Sequence, residues 1–236
     1  MKKITSASNP LIKELSLLKK NKIKQQKSMF LVDGEDFIKE AYESHNLINI
    51  ISMDFLFQYE DVEQIIVTKQ IIDKLSNNIC STGIIGLCQY PKFEFKGERF
   101  IYLDGVQDPG NVGTIIRTAL AFNYDGVILS DDSASIFNDK VIASSKGAIF
   151  KLPIFHKDLK TLKNEGYMII ATGLKSSKDY RKINKKNKFI IVVGNEGQGV
   201  KQANLDLADV IVKIPMDNID SLNVGVAAGI LLNEYR

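Results

Sequence analysis

The sequence predicts an α/β protein in two parts, a small α/β unit followed by a larger one built on a parallel sheet. Three observations lead there. Strand-like apolar runs alternate with segments of helical periodicity along the whole chain. In the second half the runs are apolar at almost every position, as in FIIVVGN and YMIIATG, which suits strands buried on both faces of a parallel sheet. Between the halves, PKFEFKGE at 91–98 is polar and broken by Pro91 and Gly97, so the boundary falls there and the expected domains are 1–92 and 97–236.

Taken in order, NPLIKELSLLKK from residue 9 has Leu11, Ile12, Leu15 and Leu18 at helical spacing after an Asn-Pro start. MFLVDG reads as a buried strand, EDFIKEAYESHN as a helix, LINIIS and EQIIVT as strands, KQIIDKLS as a helix and IIGLCQY as a closing strand. The second half begins with the strand RFIYLDG and a helix over NVGTIIRTALAFN. Strands GVIL, AIFKLPIF, YMIIATG, FIIVVGN and VIVKIPM follow, with helical pieces around 138–145, 157–164 and 200–207. SLNVGVAAGILLNEYR reads as the last helix.

At 236 residues, with 44% hydrophobic and 25% charged side chains, the chain has the makeup of a soluble globular protein. LNVGVAAGILL is too short and too polar at Asn223 to cross a bilayer, and the opening residues lack the apolar core of a signal peptide. The expected location is therefore the cytoplasm, with no membrane partner. Cys80 and Cys88 have no zinc-type spacing and read as core or near-core thiols, so no metal is expected. His45 and His156 are the only histidines and neither lies in a motif, so catalysis would have to run on other groups.

The net charge of +3 conceals an asymmetry. Residues 1–30 carry eight lysines against the single acid Glu14, residues 31–100 carry six basic against twelve acidic side chains, and KSSKDYRKINKKNK at 175–188 has seven cations against Asp179. Two concentrated basic segments favour a polyanionic partner such as nucleic acid.

Three strand ends in the second half carry unusual residues. After IYLD comes GVQDPGNVGTIIRTALAF, in which Asn111 is read as the helix cap and Arg117 falls about two turns further on. After FIIVV comes GNEGQGV. It fails as a P-loop because Val200 follows Gly199 and the lysine comes one place late, at Lys201; it fails as a dinucleotide fingerprint for want of a third glycine. After VIVK comes IPMDNIDSLNVGVAAG, with Ser221 read as a cap and small residues at Gly225, Ala227, Ala228 and Gly229. Singly, these are ordinary caps, a surface cation and close helix packing.

In their joint order they resemble the SpoU, or TrmH-like, branch of the knotted RNA methyltransferases, which move a methyl group from S-adenosylmethionine to a ribose 2′-hydroxyl. Asn111, Gly113, Arg117 and Phe122 match the family's first motif; Gly194, Glu196, Gly197, Gly199 and Val200 match the second; Ile214, Pro215, Met216, Ser221, Leu222, Asn223, Val224 and Ala227 match the third. Asn123 stands where a glycine is usual. The resemblance implies a deep C-terminal trefoil knot, S-adenosylmethionine as cofactor and a homodimer. It places Thr172, Gly173, Leu174, Gly194, Ile214, Met216 and Leu222 on the cofactor, and Arg117, Asn111, Glu196, Ser221 and Asn223 around the reacting centre. Arg117 would anchor the RNA phosphate and ribose or act as the base. Residues 1–92 resemble the family's ribosomal-protein-like RNA-binding domain through FLVDGEDFIKEA and STGIIGLCQ. Ribosomal RNA is the implied substrate ahead of transfer RNA, with a non-catalytic RNA-binding factor on the same fold as the other class.

Overall fold

The structure is a computed structural model that describes residues 2–77, 81–175 and 177–236. It divides into two compact units, Met1–Lys92 and Phe93–Arg236.

The first unit holds five strands, β1 (Lys2–Ile4), β2 (Met29–Asp33), β3 (Leu47–Ser52), β4 (Glu63–Val67) and β5 (Ile84–Gln89). They form one mixed sheet in the order β1-β4-β3-β5-β2. β1, β4 and β3 run parallel, while β5 is antiparallel to both β3 and β2. Four helices join them: α1 (Pro10–Leu17), α2 (Asn21–Lys27), α3 (Glu35–Glu43) and α4 (Lys69–Leu75). Asn9 caps α1, its Oδ1 accepting from the Leu11 N–H at 2.9 Å, with Pro10 at the first helical position. Ile12 and Leu15 of α1 and Ile71, Ile72 and Leu75 of α4 bury against Ile51, Ile65 and Ile85 of the sheet. β1 and α2 escape the sequence pattern because one is three residues long and the other, NKIKQQK, has a single apolar side chain. Cys88 is buried on β5, and burial pushes its thiol well above the ordinary range. Cys80 lies outside the described residues.

The second unit contains β6 (Arg99–Asp104), β7 (Gly126–Leu129), β8 (Ile154–His156), β9 (Met168–Thr172), β10 (Lys178–Asp179), β11 (Phe189–Gly194) and β12 (Val210–Lys213). Their order is β10-β12-β9-β11-β6-β7-β8, and every pairing is parallel. All six residues of β11 and all four of β7 are buried, which accounts for their unbroken apolar runs. The helices are α5 (Pro109–Ala121), α6 (Asp139–Ser145), α7 (Leu159–Asn164), α8 (Gln202–Leu205) and α9 (Val224–Glu234). Phe95 stacks on Phe100 with ring centroids 5.0 Å apart and meets Phe155 edge-on, so the chain joins this core from Phe93 onward.

Three local expectations are corrected. Asp108, not Asn111, caps α5: its Oδ1 accepts from the Asn111 N–H at 2.9 Å, and the helix starts two residues earlier than expected. Asn223, not Ser221, caps α9, its Oδ1 accepting from the N–H of Gly225 at 2.9 Å and of Val226 at 3.2 Å. The run AIFKLPIF is not one strand, because Ala148–Phe150 forms a 3₁₀ turn and only Ile154–His156, beyond Pro153, pairs in the sheet. Asn123, where a glycine is usual, adopts the left-handed φ of 56° that such a helix exit needs. Its N–H donates to Leu120 O at 3.1 Å and that of Tyr124 to Ala119 O at 3.0 Å, a complete Schellman closure.

Candidate active site

The parallel register sets four strand ends side by side: Thr172 of β9 opposite Val212 of β12, and Gly194 of β11 opposite Asp104 of β6. β11 lies between β9 and β6, so the loops leaving these strands share one edge of the sheet. Ligands of open α/β sheets sit outside this carboxyl edge.

The loop after β11 closes on itself. Asn195 and Gly199 exchange backbone hydrogen bonds of 3.0 and 2.9 Å, while Asn195 Oδ1 accepts from Gly197 N at 2.9 Å and Gln198 N at 3.1 Å. A Cβ at Gly194 would lie 2.0 Å from the Gly199 carbonyl carbon, so this glycine is required by the loop's own return. Gly199 has φ of +72°. Gly197 has neither reason: its nearest neighbour would be Asn195 Oδ1 at 3.6 Å. Asn195 Nδ2 donates to Gly105 O at 2.9 Å and ties the loop to the end of β6.

Glu196 projects from this loop toward the start of α5. Its carboxylate accepts from Asn111 Nδ2 at 3.0 Å, Asp108 N at 3.3 Å and Gln107 N at 3.4 Å. Desolvation raises the Glu196 pKa, but these hydrogen bonds outweigh it and the net shift is downward, so the group stays ionised. Asn111 Oδ1 in turn accepts from Asn223 Nδ2 at 3.0 Å, and Asn223 caps α9. Glu196, Asn111 and Asn223, separated by 85 and 112 residues along the chain, thus form one hydrogen-bonded string from the loop after β11 through the first turn of α5 to the cap of α9.

The two helices of that string approach closely. A Cβ at Gly225 would come 3.5 Å from Asn111 Oδ1 and 3.6 Å from Thr114 Cγ2, and one at Gly229 would lie 3.9 Å from Thr118 Cγ2. Gly113 faces α6, where a Cβ would stand 2.0 Å from Ser144 Oγ and 2.6 Å from Val141 O. Arg117 is exposed on α5 and, among the described residues, pairs with no carboxylate.

The remaining expected residues lie on the loops of the same edge. Thr172 Oγ1 donates to Val192 O at 3.2 Å, and Gly173 N donates to Val212 O at 3.0 Å. Leu174 is 69% exposed. Ile214, Met216, Ser221 and Leu222 occupy the irregular segment joining β12 to α9, with Ser221 exposed and Ile214, Met216 and Leu222 half-buried.

Two groups were not singled out from the sequence. Asp108 caps α5 and pairs with Lys140 Nζ at 3.0 Å, and the hydrogen bond from Lys140 holds its carboxyl below the ordinary value. The signal was present in Asp-Pro, a cap followed by the favoured first helical residue. Asp104, at the end of β6, is 1% exposed and accepts from Lys201 N at 2.8 Å.

Strand-end loops of a parallel sheet, stitched together over one edge, make this an α/β protein of the parallel-sheet class. The model of the SpoU rRNA Methylase family matches residues 98–233, well over half of the sequence, and the chain belongs to that family. It is 34% identical over 247 residues to the 23S rRNA (guanosine(2553)-2′-O)-methyltransferase RlmP of Bacillus subtilis (strain 168), covering 100% of both chains. Among solved structures, the AdoMet-bound rRNA methyltransferase from Sinorhizobium meliloti matches with a TM-score of 0.88 at 26% identity, covering 100% of this chain and 97% of that one. The SpoU methyltransferase AviRb from Streptomyces viridochromogenes, in complex with AdoMet, has a TM-score of 0.83 over 96% of this chain and 97% of its own; at 23% identity it shows the shared fold.

Proposed function

We propose that the protein transfers a methyl group from S-adenosylmethionine to a ribose 2′-hydroxyl of ribosomal RNA. The observation that carries this reading is the Glu196–Asn111–Asn223 string, which ties the loop after β11 to the starts of α5 and α9, while Arg117 stands exposed on the same α5 and, among the described residues, pairs with no carboxylate. Family membership and a full-length relative named for 23S rRNA support ribosomal over transfer RNA.

The loops suit an adenosine-bearing ligand. Ile214, Met216 and Leu222 offer apolar side chains, Leu174 is largely uncovered, and Gly197 leaves its backbone open on the outer side of the loop. Thr172, Gly173 and Gly194 bring main-chain groups to the same edge, so the adenine would be read without an acidic ribose marker. When bound, the cofactor supplies a methyl group activated by a sulfonium. The chain's own residues hold the 2′-hydroxyl in line with it, and alignment of this kind is worth several kcal/mol.

Arg117 is the anchor for the target phosphate and ribose, since its planar fork donates two parallel hydrogen bonds and guanidinium stays protonated in proteins. Glu196, already accepting from three donors, serves as the tie between loops rather than as the proton acceptor. Ser221, exposed beside Leu222, is available to the incoming ribose.

The path of the chain supports the expected knot. β12 lies on the far side of β9 from β6, yet α9 packs on α5 and β11, so residues 214–223 pass back across the strand ends. Leu174, Ile219 and Val226, at 69, 55 and 53% exposure, are large apolar side chains that a second copy would cover in a homodimer. Residues 1–92 would bind RNA through the exposed Lys13, Lys20, Lys22 and Lys27 on and between α1 and α2, Lys24 being buried, and 97–236 would carry the methyl transfer. Among the described residues no helix is long and apolar enough to cross a membrane; a ribosomal RNA substrate would put the site of action in the cytoplasm.

Transfer of labelled methyl groups to ribosomal RNA from cells lacking the protein tests the reading. The native chain is expected to label 23S RNA at a ribose, and Arg117→Lys to lower the rate by about a hundredfold or more. Labelling of transfer RNA alone would redirect the substrate; near-native turnover by Arg117→Lys would remove the anchor.

A further inference from the structure

The lysine that arrives one place too late for a P-loop has a different partner set. Lys201 follows the Glu196 loop directly, and its backbone N–H donates to Asp104 Oδ2 at 2.8 Å. Its Nζ stands 3.4 Å from Asp104 Oδ1, an ion-pair contact, and donates to Asp132 Oδ1 at 2.8 Å. Among the described residues, Asp104 Oδ1 has no hydrogen bond of its own. The Lys201 charge is therefore what compensates that oxygen inside a 1% exposed carboxylate. Asp132 is fixed in turn, since Ser130 Oγ donates to it at 2.7 Å and accepts from Gly105 N at 2.8 Å. The loop is thus pinned at both ends: Asn195 holds the front to Gly105 O, and Lys201 holds the back to the ends of β6 and β7.

We propose that Lys201 is a positioning residue for methyl transfer: it clamps the 195–200 loop so that Glu196 meets Asn111 and the loop backbone meets the donor. The inference rests on the proposed donor site but concerns this chain's own geometry. Lys201 itself contacts neither the donor nor RNA. It acts through Asp104, Asp132 and the loop.

The test compares Lys201→Met, which keeps length and loses charge, with Lys201→Arg, which keeps charge. Three quantities are read on the full chain: S-adenosylmethionine Kd by calorimetry, KM for ribosomal RNA, and amide hydrogen exchange at Asn195 and Gly199. Lys201→Met is expected to raise the donor Kd at least tenfold and speed exchange of both amides at least tenfold, with the RNA KM within twofold of native. Lys201→Arg is expected to restore all three. Ile72→Ala, a core truncation in the first unit, is expected to lower the melting temperature without moving donor Kd. If Lys201→Met proves too unstable, Lys201→Met with Asp104→Asn removes the stranded charge, and it should fold while still binding donor weakly. Native Kd and native exchange in either charge-free variant would overturn the proposal, as would equal losses in Lys201→Arg or in Ile72→Ala. A native chain that binds no donor would sink the underlying reading instead, while the exchange rates would still decide the clamp.

Discussion

Asn223 carries two duties that a substitution can separate. Its Oδ1 caps α9 and its Nδ2 reaches Asn111, so Asn223→Ala removes both and should cost about 1 kcal/mol of stability through the lost cap. Asn223→Asp keeps the cap, places a negative charge at a helix start, and exchanges the donor to Asn111 for a second acceptor. The aspartate variant is expected to melt like the native chain while methyl transfer falls at least tenfold. Parallel melts and initial rates check this, and a fully active aspartate variant would make the contact to Asn111 dispensable. That Glu196, Asn111 and Asn223 belong to one candidate site was legible in the sequence, but their local duties were not. Asn111 and Ser221 read as caps because both types favour that position; Asp108 and Asn223 hold the posts, which follows from the strong pull of Asp-Pro at one helix start and from the later start of the other. With α5 beginning at Pro109, Arg117 lies about 12 Å along its axis from the first helical residue.

At the scale of elements, the small residues of the motifs divide by what they face. Gly113 sits where α5 crosses α6, and a methyl there meets Val141 O at 2.6 Å, a backbone atom that cannot rotate away. Gly113→Ala is therefore expected to destabilise the fold by about 1–3 kcal/mol. Gly229→Ala, with its nearest contact at 3.9 Å, should be neutral or slightly stabilising as a helix substitution. Denaturant unfolding of the pair checks the contrast, and equal effects would refute the packing assignment. The strands of the second unit were legible because burial on both faces leaves an unbroken apolar run, as in β11. The same signal misled at 148–155, where an apolar run contains a 3₁₀ turn and a short strand divided by Pro153. β10 could not be read at all, since two residues paired to β12 have no period.

For the whole molecule, the division into two compact units and the charge pattern give one joined expectation. A fragment of residues 93–236 should remain folded, run as a dimer in light scattering and bind S-adenosylmethionine as the full chain does. It should bind ribosomal RNA more weakly, and with a shallower dependence on salt, because the lysines of α1 and α2 are gone. A monomeric fragment, or an unchanged salt slope, would contradict the homodimer or the RNA role of the first unit respectively. The parallel sheet of the second unit was predictable from pattern. The return of α9 onto α5 was not, because the route of a connection leaves no trace in periodicity; the expectation of a knot came from family likeness alone.

The string from Glu196 to α9 has a direction. A carboxylate can only accept, so the Asn111 amide must turn its nitrogen toward Glu196 and its oxygen away; Asn223 must then turn its nitrogen toward Asn111 and its oxygen to the backbone of α9. The other end agrees, for the N–H groups of Gly225 and Val226 can only donate and so demand the same oxygen. Polarity thus runs one way from loop to helix, enforced at both termini: a neutral glutamine at position 196 would slacken the first and leave the second to hold Asn223 unaided.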